Sequence, residues 1–331
     1  MKPELVCPAG TPAALRTAVD AGADAVYCGL ANETNARNFV GLNFTPELLA
    51  DGIAYARKRG RKVLLAVNSF ATALREHLWF EAVDIAARLG ADAVIVADIG
   101  VAAYAARQHP QLRLHLSVQA GASSPEAIRY YCSAFNVQRV VLPRILTVSE
   151  IAAIHREIPC EIEAFVFGNI GMMAEGRCSL TNYVTGVSTN MDGVCSPAAS
   201  VEYRDLPDGG KTASLDGIEI DCYAAGEHAG YPTICKGRYV APVRQEPYYA
   251  FEEPRSLNLS SLLPDLIAAG VTALKIEGRQ RSRSYVQAVV SAYRRAVDDI
   301  AAGRSHDLSG LIALTEGGKD TKGAFETKKW R

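Results

Sequence analysis

The chain has 331 residues, 49% of them hydrophobic and 21% charged, with 35 Lys plus Arg against 36 Asp plus Glu. Such a composition fits one large or two average globular domains with an ample core, and the absence of a basic excess argues against a nucleic-acid ligand. MKPELVCPAG leads straight into a predicted strand, with no signal-peptide core and no apolar run of 18 residues in the chain, so a cytoplasmic protein without a membrane span is expected.

Short apolar runs alternate with helical spacing along most of the chain. Predicted strands occupy 4–10, 24–30, 62–70, 92–100, 113–121, 139–144, 161–168 and 273–279. Between them, TPAALRTAVDAG, TPELLADGIAYARKRG and SPEAIRYYCSAF each pair a Ser or Thr N-cap with Pro at the first helical position. Eight strands in strict alternation with helices predict an α/β fold, a TIM-like (β/α)8 barrel. A doubly wound open sheet is the rival. It calls for a glycine-rich phosphate turn after the first strand, and CPAGTP is not one.

The barrel is expected to comprise 1–168 and 259–305, with a long insertion at 169–258 after the seventh strand and a C-terminal tail at 306–331. Loops that follow barrel strands gather on the C-terminal face, where chemistry is carried out. The insertion is therefore expected to cap the mouth.

Period-two alternation points His115, Ser117 and Gln119 inward on the fifth strand, Glu161 and Glu163 on the seventh, and Lys275 and Glu277 on the eighth. Asn68, Asp98 and Arg144 end strands at the upper rim. Arg37, between Asn35 and Asn38 in TNARNF, has the geometry to hold a carboxylate in two parallel bonds. Charges inside a barrel need partners, so a Lys275–Glu277 pair or an Arg144–carboxylate pair is expected. The catalytic candidates are Arg37, Asn68, Asp98, His115, Arg144, Lys275, Glu277 and Arg279, against the simpler reading of a polar network that fills the barrel.

Eight cysteines in a reduced compartment are not expected to form structural disulfides. Cys7 and Cys28 fall within predicted strands, and Cys132 and Cys160 read as structural. Cys178, Cys195 and Cys235 lie in polar or glycine-rich surroundings, EGRCSL, DGVCSP and TICKGR, with Arg177, Lys236 and Arg238 nearby to offset an anionic thiolate cluster. Zinc is the competing metal, although its structural sites usually carry close C-x₂₋₄-C pairs, which this insertion lacks. No H-E-x-x-H or G-x-S-x-G occurs.

CPAG, TNARNFVGLNF, SVQA, VVLPR, EGRCSL, GVCSP, GYPTICKGRY, EEPRSLN, KIEGRQRS and the final KGAF…KKW resemble, in order, the motifs of the peptidase U32 family. Within it they are most similar to the UbiU-like branch, which works in oxygen-independent ubiquinone biosynthesis. The resemblance implies a [4Fe-4S] cluster on four cysteines and a heterodimer with a UbiV-like protein. It also implies a UbiT-like lipid-carrier protein as partner, and anaerobic ring hydroxylation of a ubiquinone precursor with prephenate as oxygen donor. Three implied cluster ligands fall on Cys178, Cys195 and Cys235, and the fourth falls on Gly171, which has no ligating side chain. Cys222 is the substitute within the insertion; an iron left open to substrate, or a poorly held cluster, is the alternative. RNA hydroxylation and collagenase-like peptidase activity, both known in the family, are the alternative functions.

Overall fold

The computed structural model describes residues 2–328; Met1 and residues 329–331, including the last positions of the KGAF…KKW motif, lie outside the described residues. Seven strands follow in order from the N-terminus: β1 (Glu4–Pro8), β2 (Ala25–Gly29), β3 (Lys62–Val67), β4 (Ala93–Val96), β5 (Leu114–Leu116), β6 (Val137–Val141) and β7 (Glu161–Asn169). Each pairs in parallel with the next. The insertion carries β8 (Val201–Asp205), β9 (Lys211–Leu215), β10 (Ile218–Tyr223), β11 (Arg238–Ala241), β12 (Arg244–Tyr249) and β13 (Ser256–Asn258). The eighth barrel strand, β14 (Val271–Ile276), pairs in parallel with both β7 and β1 and closes the ring. The fold is a (β/α)8 barrel.

Helices α1 (Pro12–Asp20), α2 (Pro46–Arg57), α3 (His77–Leu89), α4 (Ile99–Gln108), α5 (Pro125–Phe135) and α6 (Val148–His155) connect the first seven strands. Thr11, Thr45 and Ser124 cap α1, α2 and α5 through their side chains, each followed by Pro, and Thr147 with Glu150 closes a capping box on α6. A short α7 (Leu180–Thr185) lies in the insertion, and α8 (Leu263–Ala268) and α9 (Arg283–Ala301) flank β14. One apolar core fills the space between the strands and the helices, including fully buried Trp79, Leu15, Leu49 and Tyr293. A second, smaller cluster of Val6, Ala25, Tyr27, Leu64, Ala93, Ile95 and Ala273 lines the barrel interior.

The insertion leaves the barrel at Asn169 and returns through β13, which pairs antiparallel with β7 at Ser256↔Asn169 and Leu257↔Gly168. Both stems therefore stand at the C-terminal end of β7. The tail adds β15 (Asp320–Thr321) parallel to β13. Inside the insertion, β8, β9 and β10 form an antiparallel sheet and β11 with β12 a hairpin. No helix among the described residues is long and apolar enough to cross a membrane.

Candidate functional site

The inward polar residues do not form one group; the barrel separates them into two layers. In the lower layer, buried Glu163 accepts from Lys275 Nζ at 2.5 Å and pairs with Arg139 Nη1 at 3.3 Å. Arg139 also holds Glu4 at 2.7 Å and Glu161, and Arg113 takes the other Glu161 oxygen at 2.7 Å. His115 sits in this layer. Its Nε2 accepts from Arg113 Nε at 3.0 Å, its Nδ1 has no partner, and burial followed by the Arg139 charge pushes its pKa well below the ordinary range. The imidazole is neutral. Arg139, which the sequence reading passed over, is the hub that neutralises these carboxylates; it was legible only as an inward position in a strand otherwise read as apolar.

The expected Lys275–Glu277 pair does not form. Two positions along a strand span about 6.6 Å, so each side chain finds partners in its own layer. Lys275 turns to Glu163, and Glu277, just beyond β14, opens onto the mouth. There Glu277 accepts from Arg144 Nη2 at 2.5 Å and from Arg37 Nη2 at 2.9 Å. Arg144 takes Glu175 at 2.8 Å with its other nitrogen and lies 3.6 Å over the Phe165 ring. The Arg144–carboxylate expectation is met. Arg37 is engaged by the protein's own carboxylate.

Arg279 differs from its neighbours. It is buried, donates through Nη1 to Asn35 Oδ1 at 3.1 Å, stands 5.6 Å from the Tyr27 ring, and makes no ion pair among the described residues. Burial lowers its pKa to about 10, with the Arg37 charge adding to the effect. Three guanidiniums, Arg37, Arg144 and Arg279, thus meet two carboxylates, Glu175 and Glu277. One positive charge is left over at the mouth.

Two other rim candidates serve the scaffold. Asp98 caps α4, accepting from the Gly100 and Val101 amides at 2.7 and 3.1 Å. Asn68 accepts from the Ala36 amide at 3.0 Å and donates to Ser117 Oγ at 3.2 Å, which fixes the TNARNF loop. Gln119 lies in a 3₁₀ turn after β5 and not in the strand. Asn35 is fully buried and accepts from the Arg37 amide, so it shapes the loop.

The first part of the insertion docks directly on these loops. The Asn38 amide donates to Gly193 O at 3.0 Å, and the Phe70 amide to Asn190 O at 2.9 Å. Gly193 has φ 76° and a Cβ there would stand 2.1 Å from Asn35 O; only glycine permits that approach. Two side chains and one backbone amide hold the carbonyls of the three cysteines. Thr181 donates to Cys195 O, Asn190 Nδ2 to Cys178 O at 2.8 Å, and the Glu252 amide to Cys235 O at 3.2 Å.

The thiols of Cys178, Cys195 and Cys235 lie within electrostatic reach of one another. Burial raises Cys235 to about 11, with Cys195 and Cys178 adding to it and Lys236 opposing. Burial also raises Cys195, while Arg37 opposes most strongly and Cys178 adds. Arg37 therefore bears on both groups: it pairs with Glu277, and its charge acts on Cys195. Of the three cations expected beside the thiols, Lys236 acts on them, whereas Arg238 turns to Asp221 at 2.6 Å and Arg177 donates to Gly176 O. Cys222 lies on β10, its carbonyl held by Arg238 at 2.8 Å, and is not among the groups acting most strongly on Cys195 or Cys235.

Among the described residues, no three His, Cys, Asp or Glu side chains converge on one point as the ligands of a single ion do. Cluster thiolates attach instead at separate irons of a larger core. Three soft donors with Arg37 and Lys236 beside them fit such a core in donor type, but the four-thiolate set is incomplete. A Cβ at Gly171 would meet nothing within 4 Å.

The profile of Peptidase family U32 matches residues 10–325. The chain is 32% identical over 306 residues to tRNA hydroxylation protein P1 of Bacillus subtilis, covering 91% of this chain and 64% of that protein. It is 31% identical over 332 residues to tRNA hydroxylation protein P of Escherichia coli, covering 96% and 72%. The solved structure of the U32 peptidase Mk0906 aligns over 85% of this chain and 95% of that one, with TM-score 0.50 and 16% identity, a likeness of fold.

Proposed function

Because this chain belongs to peptidase family U32, we propose that it is an iron–sulfur protein of oxygen-independent hydroxylation, acting on a ubiquinone precursor. The observation that carries this reading is the leftover positive charge of Arg279 at a barrel mouth over which three cysteines are packed. A buried guanidinium without a carboxylate is costly by itself and is relieved by an anionic ligand. Prephenate, the oxygen donor in this reading, carries two carboxylates, and Arg279 would hold one of them.

Cys178, Cys195 and Cys235 would hold a [4Fe-4S] cluster, leaving one iron without a cysteine. When bound, the cluster supplies electrons and a Lewis-acidic iron. The chain's own residues bind and orient. Glu277 keeps Arg37 and Arg144 extended across the mouth, and Arg37 links that ion network electrostatically to Cys195. The insertion docks on the loops of the mouth through the Asn38 and Phe70 amides. A UbiV-like protein is the partner in this reading, with a UbiT-like carrier presenting the lipid precursor.

Anaerobic purification followed by iron and sulfide counting, together with quinone measurement in a deletion strain grown without oxygen, tests the reading. Bound iron and a quinone defect confined to anoxic growth are expected. Iron-free protein with normal anoxic quinone would overturn it.

A second reading, RNA hydroxylation, is favoured by the two relatives named for tRNA hydroxylation. In that case deletion removes a hydroxylated nucleotide from RNA and leaves quinone unchanged.

A further inference from the structure

The hairpin of β11 and β12 meets the chain that leaves β7 at a cleft of about 360 Å³, and none of the mouth arginines lines it. Met172, Tyr248, Tyr249 and Phe251 line the cleft, all four half-buried. Tyr239 packs edge to face on the Phe251 ring, with centroids 6.4 Å apart. The charges around the cleft do not cancel. Glu253 meets Arg255 at 2.8 Å and Lys319 at 2.6 Å, and Glu252 meets Arg255 at 3.7 Å. Arg244, also in the lining, makes no ion pair or side-chain hydrogen bond among the described residues, and its guanidinium lies 4.6 Å over the Tyr248 ring. The cleft abuts the cysteines of the insertion: the Glu252 amide donates to Cys235 O at 3.2 Å, and Met172 directly follows Gly171.

We propose that this cleft is a binding site for a flat aromatic ring bearing one carboxylate. Aromatic side chains and a thioether receive a ring through stacking, edge and sulfur contacts. A guanidinium laid on a tyrosine face keeps its N–H edge open, and that edge matches a carboxylate in two parallel bonds. Arg255 and Lys319 answer Glu252 and Glu253, so Arg244 is the cation left for a ligand. One such cation suits one negative charge. A polynucleotide needs a succession of cations to track its phosphates, and the two carboxylates in the lining would repel it. That a ring bound here is the one hydroxylated rests on the iron–sulfur reading; the binding itself does not.

Full-length protein is titrated calorimetrically with 2-naphthoate, with 2-naphthamide (the ring without the charge) and with cyclohexanecarboxylate (the charge without the ring). Tighter binding of 2-naphthoate than of either control is expected. Arg244→Ala is expected to weaken 2-naphthoate about tenfold and to leave 2-naphthamide unchanged. Tyr248→Leu should weaken both ring ligands, and Tyr248→Phe should bind them as the wild type does. Should Tyr248→Leu fail to fold, the exposed Arg244 supplies the deciding variant. A 2-naphthoate affinity that is unchanged in Arg244→Ala overturns the proposal, and its loss in Arg279→Ala instead would move the ligand to the barrel mouth. Cytidine 5′-monophosphate that binds more tightly than 2-naphthoate, and through Arg244, overturns the aromatic-acid assignment in favour of a nucleotide. Iron-free protein that still binds 2-naphthoate through Arg244 upholds the site, while the iron–sulfur reading falls or stands on its own iron count.

Discussion

Arg144 and Glu277 meet at 2.5 Å across the barrel mouth although 133 positions separate them in the chain. Arg37 takes the other Glu277 oxygen at 2.9 Å, so one carboxylate fixes two guanidiniums that come from different strand–helix loops.

Glu277→Gln removes that shared partner and leaves two largely buried cations opposed to each other. A loss of about 3 kcal/mol in unfolding free energy is expected, measured by denaturant titration. Burial opposes ionisation of Glu277, but Arg144 and Arg37 outweigh it and hold the carboxyl below the ordinary 4.5. Its folded-state value being depressed, the stability it contributes is complete above pH 4.5 and is lost as pH falls through the folded value. The wild type should therefore lose its advantage over Glu277→Gln only in that acid range; a difference between the two that stays constant down to pH 3 contradicts the ion-pair account.

Arg279→Ala separates binding from folding. The side chain is buried beside Tyr27 without a carboxylate, so its removal should leave thermal stability unchanged or slightly raised. Binding of a dicarboxylate should weaken by about 2 kcal/mol, roughly thirtyfold, the value of a hydrogen-bonded charge. Isothermal titration checks both arms when paired with a melting curve.

Asp98 is expected to behave as a cap and not as a catalyst. Asp98→Ala should lower stability by about 1 kcal/mol through loss of the bonds to Gly100 and Val101, and Asp98→Asn by only a few tenths. Neither should change substrate turnover by more than the fraction unfolded.

Gly171→Cys places a fourth thiol where a Cβ meets no atom within 4 Å. Under the cluster proposal, iron retained per chain after brief exposure to air should rise above that of the wild type. Cys222→Ala should leave iron content unchanged, because Cys222 is held on β10 by its strand pairing and by Arg238. Iron counting on the two variants side by side reads both outcomes.

Periodicity and capping are local properties, and they carried the architecture. Thr11–Pro12, Thr45–Pro46 and Ser124–Pro125 mark helix starts because a hydroxyl cap and a fixed φ act within one turn. Eight apolar runs between such helices leave few closed arrangements other than the barrel, and inward positions follow from period two. Pairing across the barrel is a different matter. That Lys275 chooses Glu163 over Glu277, that Arg139 gathers three carboxylates, and that Arg37 acts on both Glu277 and Cys195 depend on strand register and on how the insertion settles on the TNARNF loop. Most of those contacts join residues more than a hundred positions apart, and only the closed tertiary structure sets their distances. The same holds for Arg279, whose missing carboxylate is a fact about the space around it. Its residue type and its place after the last barrel strand were readable; its burial without a carboxylate partner among the described residues was not.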